Sequence, residues 1–206
     1  MKKLILFFLL TLVLGSVSAQ SQFNPQAGMV FTTFLNTPDN FEASANLGLV
    51  AGADFRLGKR FYFQPGVFYM NTATAILPTG QDSFKITTTR NSLRIKALAG
   101  FNIINREQFK LRINTGPSFD YVLNIKEKLT NGVAFTPNDS RYNTNILNWQ
   151  AGLGFDVSFI TLEVGYSLGL SRVYKDDNVF LATTNDIKYG GLYFTLGFVL
   201  GSNKED

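Results

Sequence analysis

Along residues 47–69, apolar side chains alternate with small or charged ones. Leu47, Leu49, Ala51, Ala53, Phe55 and Leu57 fall on one face, and Gly48, Gly52, Asp54 and Arg56 on the other. A period of two is the signature of a strand, whose side chains point to opposite sides of a sheet. Gly58-Lys59-Arg60 then turns the chain, and a second alternating run starts at Phe61, so the stretch predicts a hairpin. Similar runs predict eight strands, at about 23–36, 47–58, 61–69, 92–104, 109–125, 145–157, 162–170 and 188–200. The fifth is the clearest: Phe109, Leu111, Ile113, Phe119, Tyr121, Leu123 and Ile125 oppose Lys110, Arg112, Asn114, Gly116, Ser118, Asp120 and Asn124. Pro65 in the third cannot donate to a ladder, which predicts a bulge there.

The connections alternate in length. Thr37-Pro38-Asp39-Asn40, the Thr-rich stretch 71–90, and the polar stretches 126–143 and 171–186 are the longer ones. Gly58-Lys59-Arg60, Asn105-Arg106-Glu107-Gln108 and the turn at 158–160 are short. Membrane barrels sort their loops in this way, with short turns on the periplasmic side and longer loops outside. The strands are also long enough for a tilted bilayer crossing, which takes ~9–11 residues. The expected fold is therefore all-β, an eight-stranded antiparallel up-and-down transmembrane β-barrel with both chain ends on the short-turn side.

Alternation alone leaves two readings of the charged face. It lines a lumen while the Leu/Phe face meets lipid, or it meets water while the Leu/Phe face covers a protein core. Its charged members are Asp54, Arg56, Arg94, Lys96, Lys110, Arg112, Asp120, Asp156 and Glu163, set among Gly, Asn and Ser. An eight-stranded barrel is just wide enough to be filled by its own side chains. In the lumen reading these nine residues form a structural charge network that pairs across the interior and plugs it, since a lone buried charge is expensive. The rival is the solvated outer face of a soluble sheet. A catalytic cluster is the weakest reading, because no pair stands out as acid and base. Tyr62, Phe68, Tyr69, Tyr121, Trp149, Tyr166, Tyr189 and Tyr193 lie near strand ends or on outward positions. They are candidates for interfacial girdles, with ordinary strand propensity as the alternative.

The N-terminus changes the setting. Lys2 and Lys3 precede an apolar run from Leu4 to Leu14 and a small-residue site, Ser16-Val17-Ser18-Ala19. This is the pattern of a secretory signal peptide cut before Gln20, so residues 1–19 are expected to be removed and 20–206 to form one barrel domain. The run is too short for the ~30 Å of hydrocarbon that a helical anchor must span. There is no Cys, which excludes disulfides and a lipid-anchored cysteine, and no His, which removes the commonest general base and metal ligand. The 20 Phe and 18 Gly fit an all-β chain. Formal charge falls from 19 − 15 = +4 to 17 − 15 = +2 without Lys2 and Lys3, and the basic residues are dispersed, so nucleic acid is not an expected partner. No cofactor is expected.

Asp54-Phe-Arg-Leu-Gly-Lys-Arg-Phe-Tyr-Phe-Gln-Pro-Gly66, the run from Leu93 to Phe101, Ala151-Gly-Leu-Gly-Phe-Asp156 and the closing strand from Tyr189 to Leu200 together resemble the small outer-membrane β-barrel proteins of Bacteroidetes grouped as PorT-like. The resemblance covers nearly the whole chain after the leader. It implies an outer-membrane barrel in contact with lipid, inserted by the barrel-assembly machinery and working beside other envelope or secretion proteins, type IX secretion included. It transfers no functional residue, because the matching motifs are strand and turn signatures. The chain departs from the usual barrel ending in closing on a polar tail. The expected function is a non-enzymatic accessory or interaction subunit acting through its outer loops at 71–90, 126–143 and 171–186. The alternatives are a narrow channel and a soluble exported barrel that binds an apolar ligand.

Overall fold

The computed structural model describes residues 21–37, 41–78, 86–106, 108–129, 134–135, 142–175 and 187–201. The expected leader and the polar tail after Gly201 lie outside these residues. The strands are β1 (Ser21–Leu35), β2 (Phe41–Gly58), β3 (Phe61–Pro78), β4 (Ile86–Asn105), β5 (Phe109–Leu129), β6 (Ala134–Phe135), β7 (Asn145–Val157), β8 (Ile160–Gly169) and β9 (Lys188–Phe198). Their order in the sheet is β4-β3-β2-β1-β9-β8-β7-β5-β6, and β4 also pairs with β5. Eight long strands thus close on themselves as an antiparallel up-and-down barrel, with the two-residue β6 attached to β5 at Glu127↔Phe135 and Lys128↔Ala134. Closure removes the open edges that a flat sheet would present.

The seam lies between the first and last strands, where Gln26 pairs with Gly197 and Leu35 with Lys188. It is extended by a two-way bond between Phe23 and Leu200, at 2.7 and 2.8 Å. Both ends of the described chain therefore meet the rim that carries the short turns. At the β7–β8 turn, Val157 pairs with Ile160 around Ser158 and Phe159. Ser158 has φ 55°, the positive value that two-residue hairpin loops require. At Gly58 φ is 128°, and a Cβ there would stand 2.3 Å from the carbonyl oxygen of Phe61, so only glycine fits this turn.

Two expectations are corrected. No bulge forms at Pro65: β3 stays in continuous register with β4 through Pro65↔Ala97, and β2 keeps one register from Asp54↔Gly66 to Leu57↔Phe63. A missing N–H costs a ladder bond but does not insert a residue. The register shifts instead between Ala45 and Leu49, at Asn91/Ser92 and at Asn102/Ile104. The stretch 71–90 is also mostly strand, with Thr72↔Arg90, Thr74↔Thr88 and Ala75↔Thr87 in register. Threonine is β-branched and suits a strand, and beyond the bilayer no hydrocarbon demands an apolar side. Pairing therefore outlasts the alternation that revealed it. Likewise, the first residues of 126–143 continue β5 to Leu129. Positions 38–40, 79–85, 107, 130–133, 136–141 and 176–186 of the expected loops and turns lie outside the described residues. One side of the barrel is consequently taller: β2 to β5 have 18 to 21 residues, whereas β7 to β9 have 10 to 13.

Candidate functional site

The partition of side chains is inverted relative to a water-soluble protein. Leu49 is 61 % and Phe61 76 % exposed, while Asp54, Arg112 and Asp120 are 0 % exposed. Apolar residues from every long strand form the outer wall, among them Met29, Leu47, Phe63, Ile95, Ile113, Leu153, Leu162 and Phe194. An exposed apolar belt of this extent has hydrocarbon as its solvent.

The interior is layered. Nearest the short turns, Arg56 reaches Asp156 at 2.7 Å, and Arg112 reaches Asp156 at 3.3 Å and Glu163 at 2.8 Å. Thr161 donates to Asp156 at 2.6 Å and accepts from Arg56 and Arg112 at 2.8 and 2.9 Å. One step further in, Lys96 lies 2.8 Å from Asp54 and 3.7 Å from Glu163. Asn24, Gln26 and Gln64 donate to the Asp54 carboxylate at 2.9, 3.0 and 2.7 Å. Three cations (Arg56, Lys96, Arg112) and three carboxylates (Asp54, Asp156, Glu163) thus form one neutral cluster. That balance is what makes burial tolerable, since each charge has a partner and Asp54, Arg56, Arg112, Asp156 and Glu163 have further hydrogen bonds.

Above it, Val30, Val50, Phe68, Met70 and Tyr193 form an apolar layer. Arg94 then grips Asp120 with two bonds, at 2.5 and 2.7 Å. Arg90 stands 3.7 Å from the same carboxylate with its guanidinium carbon 3.9 Å from the centre of the Tyr189 ring. Such bidentate pairs fix geometry as well as charge. At the end opposite the short turns, Phe34, Val122, Ile125, Tyr142, Ile146, Val173, Ile187 and Tyr189 pack together. Tyr142 and Tyr174 pair as an isolated bridge, and Asn143 N donates to Val173 O at 2.9 Å, so residues 142–143 and 173–174 come together over the mouth. The Tyr142 hydroxyl donates to a Glu127 carboxylate oxygen. Burial, foremost, pushes the Tyr142 and Tyr174 phenols above the ordinary tyrosine value.

Between the two charged layers is a cavity of about 20 Å³, bordered by Lys96, Glu163, Gln150 and Tyr193 among others. It has room for about one water. Among the described residues, no group of three or more His, Cys, Asp or Glu is placed to hold a metal ion.

Of the nine charges singled out above, the structure brings Asp54, Arg56, Lys96, Arg112, Asp156 and Glu163 into one cluster and sets Arg94 on Asp120 in another. Lys110 is only half-buried, near the short-turn rim and in register with Asp156. Sequence reasoning missed Arg90, which fell in an expected loop, although its spacing of four from Arg94 places it on the same face. Four of the girdle candidates are corrected: Tyr62, Phe68, Tyr189 and Tyr193 are buried inside. Each is out of phase with its lipid-facing neighbours, as Tyr193 is between Leu192 and Phe194. Glycines make space for two of the rings, since a Cβ at Gly100 would meet Tyr62 at 2.0 Å and one at Gly165 would meet Tyr193 at 2.4 Å. Tyr69, Tyr121, Trp149 and Tyr166 do face outward.

A closed barrel with an apolar outside and a filled polar inside is a transmembrane β-barrel, and its eight strands and one-sided short turns are those of outer-membrane proteins. Residues 18–175 match the family described as Outer membrane protein beta-barrel domain, and the chain belongs to that family. It is an integral outer-membrane protein in contact with lipid, which overturns the reading as a soluble exported barrel. In fold it is similar to Ail, the attachment invasion locus protein of Yersinia pestis, solved in complex with the heparin analogue sucrose octasulfate. The match has a TM-score of 0.50 at 13 % identity and covers 88 % of this chain and 99 % of that one. Neisserial surface protein A (TM-score 0.48, 11 % identity, 87 % and 97 % coverage) and OprG of Pseudomonas aeruginosa (0.46, 9 %, 89 % and 97 %) are also similar. No curated protein matches the chain.

Proposed function

We propose that this barrel is a non-conducting, non-enzymatic accessory subunit of an envelope complex, whose working surfaces are its extracellular end and its outer wall. The observation that carries the reading is the filled lumen. Two charged layers, an apolar layer and the cluster at the mouth leave a cavity of only about 20 Å³ between the charged layers. The carboxylates there are held by arginine or lysine, which leaves none poised as a free acid or base. The resemblance of the strand and turn motifs to PorT-like barrels supports a secretion complex of the type IX kind as the setting. Membership of the outer-membrane class supports the barrel-assembly machinery as the partner for insertion.

The test is in two parts. Purified barrel in planar bilayers is expected to give no steady current, and a steady open current would assign it to the channels instead. Photo-crosslinkers placed at outward positions on the tall side of the barrel, such as Ala73 and Thr87, are expected to capture a stoichiometric envelope protein in intact cells. Capture of no protein from any such position would overturn the accessory role.

A further inference from the structure

The outer wall carries an apolar groove of about 720 Å³. Its floor is made of small outward residues side by side, with Ala99 paired to Thr115 and Thr115 to Ala151. The pair Phe61–Phe101 closes one end and the pair Tyr166–Leu192 the other. Thr115 does not make the floor polar, because its hydroxyl donates to the Gln150 carbonyl at 2.8 Å and accepts from the Trp149 indole at 2.9 Å.

Depth and charge select the occupant. Phe61 opens β3 directly after the short turn, whereas Leu192 lies 198 − 192 = 6 residues from the end of β9. Six residues rising ~3.3 Å each on a strand tilted ~40° climb ~15 Å, one leaflet's share of a ~30 Å hydrocarbon core. The groove therefore runs from the short-turn interface to mid-membrane. At its lower mouth the exposed Arg60 guanidinium stands 5.3 Å from the centre of the Phe101 ring. The turn that carries Lys59 and Arg60 is tied to β4, since Asn102 donates its backbone N–H to Arg60 O at 2.8 Å and its side-chain amide to Lys59 O at 2.6 Å. The adjacent β4–β5 turn adds exposed Arg106, beside Glu107 in the sequence. Short turns face the periplasm, and the leaflet on that side of an outer membrane is phospholipid.

We propose that the groove is a site for one anionic phospholipid of the periplasmic leaflet, with an acyl chain on the Ala99–Thr115–Ala151 floor and its phosphate on Arg60. One basic side chain near an anionic surface favours binding about fivefold, so the site discriminates by headgroup as well as by fit.

The experiment is native mass spectrometry of the delipidated full chain in detergent, with phosphatidylglycerol or phosphatidylcholine of identical acyl chains added. One phosphatidylglycerol per barrel is expected, retained about fivefold over phosphatidylcholine. Arg60→Gln should remove the preference, and Ala151→Leu, which fills the floor with a residue suited to lipid contact, should lower retention of both lipids. Leu147→Ala, on the lipid face away from the groove, should change neither. Thr115→Leu takes the place of Ala151→Leu if that variant fails to fold. Equal retention of the two lipids, or insensitivity to the groove-filling variant, would overturn the site and leave only annular lipid. So would tighter binding of lipopolysaccharide than of phosphatidylglycerol, or a dimer that Ala151→Leu dissolves.

Discussion

Arg112 lies flat against the backbone of Gly154. A Cβ at position 154 would stand 2.1 Å from the guanidinium carbon, and that same guanidinium holds Glu163 at 2.8 Å. The absent side chain on β7 and the charge on β5 are one arrangement: Gly154 is the register partner of Arg112 on the adjacent strand, so in a barrel this narrow the guanidinium lies over a bare neighbour to reach Glu163 on β8.

That arrangement sets a first prediction. Arg112→Ala leaves Asp156 and Glu163 short of a buried partner and is expected to cost about 3–5 kcal/mol. Gly154→Ala displaces the same guanidinium and is expected to be destabilising through it. Because the two act on one contact, the double variant should lose clearly less than the sum. Urea unfolding in lipid vesicles measures all three, and strict additivity would show that the guanidinium does not rest on Gly154.

Arg94 and Arg90 converge on one carboxylate, Asp120, at 2.5 and 3.7 Å. Asp120→Ala leaves two buried guanidiniums without it and is expected to be among the most damaging single changes. Arg94→Ala added to it should recover part of the loss, because one stranded charge is removed. Thermal loss of folded mobility on unheated gels reads the order of the three proteins.

The chain has one tryptophan. Trp149 is outward and 46 % exposed, so its indole is expected to emit as in an apolar medium once the barrel is inserted, and to be quenched by lipids brominated on the acyl chain. Quenching by a water-soluble agent in its place would move β7 out of the bilayer.

Outside the bilayer, the phenols of Tyr142 and Tyr174 are held above the ordinary tyrosine value by burial. An unfolded tyrosine ionises near about 10. The contribution of these phenols to stability is therefore complete below pH ~10 and is lost as pH rises from there toward their folded values. Tyrosinate absorbance should show both ionising later than a free tyrosine, and Tyr142→Phe should make the covered mouth less sensitive to alkali. Ionisation of Tyr142 at the free-tyrosine value would contradict its burial.

The fold was legible because a bilayer imposes one period on every strand that crosses it. Phe109 to Leu123 shows this plainly, and so does the short turn between Val157 and Ile160, whereas the register shift opposite Asn91 and Ser92 turns Asn124 outward and carries Ile125, expected on the lipid face, into the interior. Where the bilayer stops, so does the signal: Thr72 to Ala75 and Thr87 to Arg90 pair as well as any residues in the barrel, yet their sequence reads as loop. Within the interior, alternation assigns a face but no partner. Nothing local links Arg56 to Asp156, 100 positions apart, because the pairing is set by strand register around a closed ring. The inward tyrosines were misread for a related reason. Tyrosine suits lipid interfaces and polar interiors alike, and only the glycines opposite Tyr62 and Tyr193 mark the interior choice.

The seam between β1 and β9 joins Gln26 to Gly197, which are 197 − 26 = 171 positions apart. Ring closure must therefore wait for almost the entire polypeptide to be made and exported. Until then the chain travels with unsatisfied strand edges and a greasy flank, the combination that drives aggregation. Its passage between the two membranes is a problem of kinetics, set by the pairing of its first strand with its last.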